Sequence, residues 1–327
     1  MHTTEAFIKQ SCDAVPLNFD ALFTWNYDHD DPRLVSLYEK AKGAQWNAGT
    51  DIDWTIEVDP SFVDQTQAQT LSVLDDSPFT KMSSDELANL AWEMQAWTIS
   101  QFLHGEQGAL LATAKLVEAV PDYDAKLYAA TQVMDEARHV EVFDRYLTEK
   151  VERSYPINDS LFALLRDLLA DSRWDMAYLG MQIMVESLAM SAFGFIQQTT
   201  QDSLLREITR HVMTDEARHV AFGILSLEGF YDQMPDAERR DREEFVAEAA
   251  ALMRDRLLMR EVFERVGVDA DEGVRFTRDN PLQIEFRRML FSRVVPNVKR
   301  IGLLTPYVRE RFEQLGVLEY ESLPASA

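Results

Sequence analysis

"DEARHV" stands at residues 135–140 and again, letter for letter, at 215–220. The chain has 327 residues and six histidines, and the two copies use two of them. On a helix, residues three apart share a face, with Cβ atoms roughly 5–6 Å apart. Glu136 and His139 therefore point one way, as do Glu216 and His219. A carboxylate and an imidazole on adjacent turns can grip one metal ion, and two such helices face to face can hold two. A single Glu-x-x-His on a charged helix is usually an accident. Two identical copies are a pattern that the rest of the sequence can test.

The test is spacing. A dimetal site in a helical bundle needs one further inward glutamate from each of two other helices. Glu106 precedes Glu136 by 30 residues, and Glu186 precedes Glu216 by 30. The first midpoint is Pro121, in the break "VPD"; the second is residue 201, in the polar turn "TTQDS". In an antiparallel hairpin, fifteen residues out and fifteen back run about 22 Å each way. Each lone glutamate thus returns to the level of its Glu-x-x-His partner. Glu106 has Phe102, Leu103, Ala109 and Leu110 as helical neighbours, and Glu186 has Ile183, Ala189 and Met190, with Gln182 the one polar exception. A carboxylate on so apolar a face is costly unless paired or bound to metal. Glu93 and Glu118 do not return to the right level and are expected at the surface.

Outside these hairpins the sequence reads as all-α. Glycine (12) and proline (11) are sparse, apolar residues recur at helical spacing, and the alternation of a strand is nearly absent. Helices are expected at about 33–45, 84–119, 122–152, 158–170, 173–199, 202–231, 236–265, 281–293 and 306–315. "SSDE" at 83–86 is a capping-box signature. The chain reads as one domain, 1–327, with a metal-binding core at about 84–231, an N-terminal segment 1–83 and C-terminal helices over 236–320.

A formal net charge of −24 argues against a grip on nucleic acid or anionic lipid. One cysteine, Cys12, rules out an internal disulfide, fits a reducing compartment and reads as an inert thiol. With no leader and no uninterrupted apolar run of spanning length, the expected location is the cytoplasm, away from the membrane. His2 and His29 are expected in solvent, and His104 in structural hydrogen bonding rather than ligation.

Taken together, Glu106, Glu136-x-x-His139, Glu186 and Glu216-x-x-His219 resemble the four-glutamate, two-histidine set of ferritin-like di-iron carboxylate proteins. "LYEKAKGAQWNAGTDIDW" at 37–54 is similar to the N-terminal stretch of ribonucleotide reductase small subunits and related ligand-binding oxidases. The resemblance implies a ferritin-like four-helix bundle with added N- and C-terminal helices, commonly dimeric. It implies two iron ions, or a manganese–iron pair, held by those six residues to activate O2 with an external electron donor. It further implies that Asp135 and Asp215 each orient the histidine of the opposite helix, that Arg138 and Arg218 neutralise them, and that Trp46 falls where radical-carrying subunits keep a tryptophan.

Departures from the specialised branches narrow the activity. Phe143 stands where radical subunits keep a tyrosine. Met190 replaces the threonine of multicomponent monooxygenases, and Met181 the cross-linking tyrosine of ligand-binding oxidases. Val212 replaces the third histidine of amine N-oxygenases like the p-aminobenzoate enzyme, with His211 one residue off. The expectation is a non-haem di-iron oxidase or oxygenase for a small, largely apolar organic substrate, with Phe102, Phe143, Met190, Phe193 and Phe222 as candidate pocket lining. A ribonucleotide reductase-like radical subunit and a ferroxidase or iron store are the alternatives.

Overall fold

Residues 13–17, 20–60 and 65–326 are described by the computed structural model; His2 and Cys12 lie outside them. Every regular element among the described residues is helical. The first of them is α1 (Pro32–Gly43), and α2 (Gln65–Ser72) follows it. The first hairpin follows, α3 (Ser84–Ala119) and α4 (Tyr123–Tyr146), with a π-helical turn at Leu147–Val151. After α5 (Asp159–Ala170) comes the second, α6 (Trp174–Thr199) and α7 (Ser203–Leu227). The C-terminal layer is α8 (Asp236–Asp255), α9 (Arg260–Val266), α10 (Ala270–Asp279), α11 (Pro281–Met289), α12 (Val294–Arg300) and α13 (Pro306–Gln314).

Local chemistry sets the hairpin ends. Ser83 and Glu86 form the reciprocal capping box that starts α3, with Ser83 N–H donating to Glu86 Oε2 at 2.7 Å. Val120 is extended, as a residue before proline must be, and ends the helix at the expected break. Asp122 then caps α4, accepting from Ala125 N–H at 2.7 Å. Asp202 does the same for α7, accepting from Leu204 and Leu205. The chain between each lone glutamate and its partner is regular α-helix on both arms. The one π-helical stretch in α6, Leu179–Glu186, ends at Glu186, outside that interval. The 30-residue spacing therefore keeps its geometric meaning.

Two apolar clusters bracket the middle of the bundle. Along α4, Tyr128 belongs to one and Val142 and Phe143 to the other; along α7, Val212 belongs to the second and Phe222 to the first. The two DEARHV copies form the polar layer between them. Helix α6 is long and apolar enough to cross a membrane, but 78% of its most apolar window is buried in the bundle. The leucine face of α5 (Leu161, Leu164, Leu165, Leu168 and Leu169) is buried as well, each side chain contributing about 2 kcal/mol of transfer free energy.

Some expectations change. The helix expected over 236–265 is two: Met259 adopts left-handed φ of 53° and separates α8 from α9. Apolar periodicity continues through that break, so the pattern alone hides it. Helices α2, α10 and α12 were not expected, because "QTQAQTLS" has little apolar periodicity and α10 contains Gly273. Glu93 is buried instead of exposed: it accepts from Tyr155 O–H at 2.7 Å and pairs with Arg153 at 2.7 Å. His104 donates to the Tyr155 carbonyl at 2.9 Å, a structural role. His29 is exposed, with its Nδ1 2.5 Å from Asp124 Oδ1.

Candidate metal centre

Helices α3, α4, α6 and α7 bring Glu106, Glu136, His139, Glu186, Glu216 and His219 together in the buried layer. Two overlapping groups emerge: Glu106, Glu136, His139 and Glu216, and Glu136, Glu186 and His219. Within each, one ligand atom per residue lies within 4.8 Å of the others. His139 Nδ1 is 3.3 Å from both Glu106 Oε2 and Glu216 Oε1. His219 Nδ1 is 3.1 Å from Glu136 Oε1. Both imidazoles thus aim Nδ1 inward and Nε2 outward.

The outward nitrogens meet the crossed aspartates. His139 Nε2 is 3.2 Å from Asp215 Oδ2, and His219 Nε2 is 3.2 Å from Asp135 Oδ2. Arg138 donates to Asp135 on its own helix and, at 3.3 Å, to Asp215. Arg218 donates to Asp215 on its own helix and, at 3.4 Å, to Asp135. A carboxylate that accepts from Nε2–H leaves the Nδ1 lone pair free for a metal. The near-equal distances give this layer internal two-fold pseudosymmetry.

The N-terminal segment closes the layer from outside. Trp46 Nε1–H donates to Asp215 at 2.7 Å, and Gln45 Nε2–H donates to Asp135 at 3.1 Å. The Arg138 guanidinium lies 5.0 Å from the Trp46 ring centroid, and the His211 ring 4.9 Å. His211 therefore packs on Trp46 rather than joining the inward cluster.

One residue breaks the symmetry. Gln132, a turn before Glu136, donates to Glu136 Oε1 at 3.0 Å and Glu186 Oε1 at 2.9 Å. Its counterpart in the second copy, 80 residues on, is Val212, buried among apolar side chains. Sequence reading missed Gln132 and Gln45; comparing the flanks of the two repeats, where glutamine faces valine, would have exposed the first.

The electrostatics describe a site seeking cations. Burial pushes the Glu106 carboxyl up to about 8 and holds Glu186 well above the usual range, the neighbouring Glu216 adding to it. Burial would likewise raise Glu136, but His219 and His139 outweigh it and hold that carboxyl low. For the histidines, burial favours the neutral ring. The carboxylates win: Glu106 and Asp215 hold His139 well above its ordinary value, and Glu136 and Glu216 do so for His219. Glu136 Oε2, Glu186 Oε2, Glu216 Oε2 and His219 Nδ1 are buried without a hydrogen-bond partner. Orphaned atoms of ligand type, converging in a sealed layer, fit a metal pair; protein donors leave them unsatisfied.

A cavity of about 630 Å³ lies on the Phe102 side of this layer, with none of the six residues in its wall. Phe102, one turn before Glu106, and Leu188, two residues after Glu186, lie in its wall. Of the expected lining residues only Phe102 reaches it. Phe193 and Phe143 pack behind Phe102, at 4.6 and 6.1 Å between ring centroids. Met190 is core, and Phe222 packs against Tyr128 at 4.4 Å.

A buried layer of carboxylates and imidazoles inside paired helical hairpins defines the class: a non-haem dimetal carboxylate protein on a ferritin-like bundle. Comparisons with known proteins agree. The sequence model of one family, p-aminobenzoate N-oxygenase AurF, matches residues 29–302, and the chain belongs to that family. It is a non-haem di-iron oxidoreductase of the oxygenase or oxidase type. Val212, in place of a third histidine, does not remove it from the family. Two solved variants of an R2-like ligand-binding oxidase, each with an anaerobically reconstituted Mn/Fe cofactor, are 19% identical and superpose with a TM-score of 0.50. The match covers 85% of this chain and 96% or 95% of theirs, and shows a shared fold. No curated protein matches the chain significantly.

Proposed function

We propose that this chain uses Glu106, Glu136, His139, Glu186, Glu216 and His219 to hold two metal ions, iron with iron or manganese with iron. We further propose that it oxidises a small, largely apolar molecule bound in the cavity on the Phe102 side. The observation that carries the assignment is the set of orphaned Glu and His atoms turned inward while both Nε2 atoms meet aspartates. Such a pair, when bound, supplies dioxygen with electrons. The protein's own part is to fix the imidazole tautomers through Asp135 and Asp215. Arg138 and Arg218 balance the charge of those aspartates. Phe102, Phe143 and Phe193 keep water away on the cavity side. Oxidation at the nitrogen of an aromatic amine, the reaction in the family's name, is the first chemistry to test. We place the enzyme in the cytoplasm, drawing electrons from an external donor. We also place it in a homodimer, for which the exposed aromatics Phe23, Trp25 and Tyr27 offer an apolar surface.

A second reading, a radical-transfer subunit, draws on the run Trp46 Nε1–Asp215–His139. Two features weigh against it. Phe143 has no hydroxyl to hold a radical, and the C-terminal tail is docked: Ser326 N–H donates to Asn297 Oδ1 at 2.8 Å, and Glu321 pairs with Arg309. Metal analysis after anaerobic loading with ferrous iron, followed by oxygen uptake, tests the main reading. The expected result is about two metals per chain. Glu186→Ala and His219→Ala should each lose metal and oxygen uptake together, with helix content by circular dichroism unchanged. Either variant retaining two metals and full uptake refutes the ligand set.

A further inference from the structure

A second cavity, of about 260 Å³, opens among the C-terminal helices. Its wall holds four arginines, Arg254, Arg278, Arg287 and Arg288, against one carboxylate, Asp255. The chain as a whole leans the other way, with 56 acidic residues to 32 Lys and Arg. Each of the four stands in the last turn of its helix, α8, α10 or α11, where a cation suits the negative end of the helix dipole. That preference accounts for each arginine singly. It does not require three helices to turn their terminal arginines into one cavity.

The four are crowded and only partly answered. Arg254 and Arg278 each give Nε and Nη2 to the aspartate next in sequence, Asp255 and Asp279. Among the described residues their Nη1 groups have no hydrogen-bond partner. Both pairs are partly in solvent, where such contacts contribute little and yield readily to a competing anion. Arg287 is buried and donates to the Thr277 and Arg278 carbonyls, which carry no formal charge. Burial and the Arg254 charge both lower its guanidinium, and Asp255 and Asp279 pull the other way. Arg288 makes no hydrogen bond among the described residues: its Nε is buried without a partner, and Glu285 stands 3.9 Å away. The Arg288 head is seated instead by packing on Gly316, whose left-handed φ of 71° and missing Cβ make the room. A Cβ at that position would overlap the guanidinium.

We infer that this cavity is an effector site for a small phosphate monoester, with the phosphate held by the four arginines. One guanidinium fork suffices for a carboxylate; several forks arriving from three helices suit a tetrahedral dianion with acceptors on every side. Leu258, Ile284 and Phe291 offer an apolar floor for the rest of the molecule. None of the six proposed metal ligands lies in the wall, so the bound molecule acts on the enzyme rather than being its substrate. Its route of action is short, because the two cavities lie on opposite faces of the same two segments. In the break after α8, Arg254, Asp255 and Leu258 face the smaller cavity, and Leu257 and Met259 the larger. On α11, Ile284, Arg287 and Arg288 face the smaller, and Gln283, Phe286 and Met289 the larger. A phosphate that ties α8, α10 and α11 together braces the outer wall of the larger cavity.

Isothermal titration calorimetry of the full chain in phosphate-free buffer tests this with phenyl phosphate, phenol and inorganic phosphate. Phenyl phosphate should bind at least about tenfold more tightly than either of the others, since only it fills both the arginine wall and the apolar floor. Arg288→Met and Arg278→Gln should each weaken phenyl phosphate about tenfold or more. Arg300→Gln, which removes an exposed partner of Glu228 on α12, should leave it unchanged. Hydrogen exchange should slow over 254–259 and 281–289 when phenyl phosphate binds. No saturable binding of phenyl phosphate overturns the inference. So does binding that survives both Arg288→Met and Arg278→Gln, which would place the phosphate at the metal layer or in the larger cavity. Inorganic phosphate binding as tightly as phenyl phosphate would refute the monoester and leave a site for the free ion. Binding without slowed exchange over 254–259 would refute the effector role. Each of these failures leaves the dimetal reading standing, because no ligand of that centre is altered.

Discussion

Replacing Asp135 by Asn changes one atom's identity and little volume, yet the structure makes it a severe perturbation. Asp135 accepts from Gln45, Arg138 and Arg218 and faces His219 Nε2. Burial alone would raise its carboxyl, but His219 and Arg138 outweigh burial and hold it low, so it is ionised at neutral pH. In the native layer two buried aspartates balance two buried arginines. Asp135→Asn leaves one guanidinium charge unbalanced, a loss of about 3–5 kcal/mol for a broken buried pair. A second consequence concerns the metal. If the Asn amide turns its NH2 toward His219, Nε2 must accept, the proton moves to Nδ1, and the ligand lone pair is gone. Loss of such an orienting carboxylate typically weakens metal affinity about 10–100-fold. Denaturant unfolding of the metal-free protein and competition with a chelator for iron read the two effects separately. Asp144→Asn, on the exposed side of the same helix, is the control. Asp135→Asn protein with unchanged stability and unchanged affinity would mean the crossed pairs do not govern the site.

Asp215→Asn should cost a similar amount, and the double variant should cost more than the sum, because after one loss the remaining aspartate still serves both arginines and after two losses neither is answered; a double-mutant cycle reads the difference. Gln132→Leu removes the amide that holds Glu136 and Glu186 together, and should weaken metal affinity about tenfold while leaving the melting temperature of the metal-free protein nearly unchanged. Gly223, a turn beyond His219, lets α7 approach α6 so closely that an added Cβ would lie 2.5 Å from Gln182 Cβ; Gly223→Ala should destabilise by about 1–3 kcal/mol in denaturant unfolding. Metal affinity should fall as the solution is made more acidic. Glu106, raised to about 8, and Glu186 and both histidines, also raised, hold protons at neutral pH that metal must displace. Acidification through 8 therefore favours the protonated, metal-free form, and calorimetry in buffers of different ionisation enthalpy should record proton release on loading.

The two hairpins were legible because period and punctuation agree: Pro121 and the Asp202 turn sit midway between paired acids, and regular α-helix fills the distance between. The clustering of Glu106, Glu136, His139, Glu186, Glu216 and His219 followed from that register alone. Glu93 was misread because its partners, Arg153 and Tyr155, come from a loop that no helical periodicity reports. Gln45 and Gln132 escaped because a glutamine carries no signal until its neighbours across the bundle are known. The cavity was out of reach for a similar reason: it is assembled from α2, α3, α6, α11 and the break at 256–259, and only Phe102 of the expected lining belongs to it.

The crossed aspartate–histidine bonds have a consequence for the order in which the molecule is made. The chain emerges with Glu106, Glu136 and His139 long before Asp215 and Glu216. In that interval His139 has neither the Asp215 carboxylate at its Nε2 nor Glu216 beside its Nδ1, and Asp135 has no imidazole to meet. Neither hairpin carries a finished site that the other merely duplicates; each holds the template for its counterpart. On the proposed ligand set, competence for metal is therefore a property of the completed bundle and of neither hairpin alone.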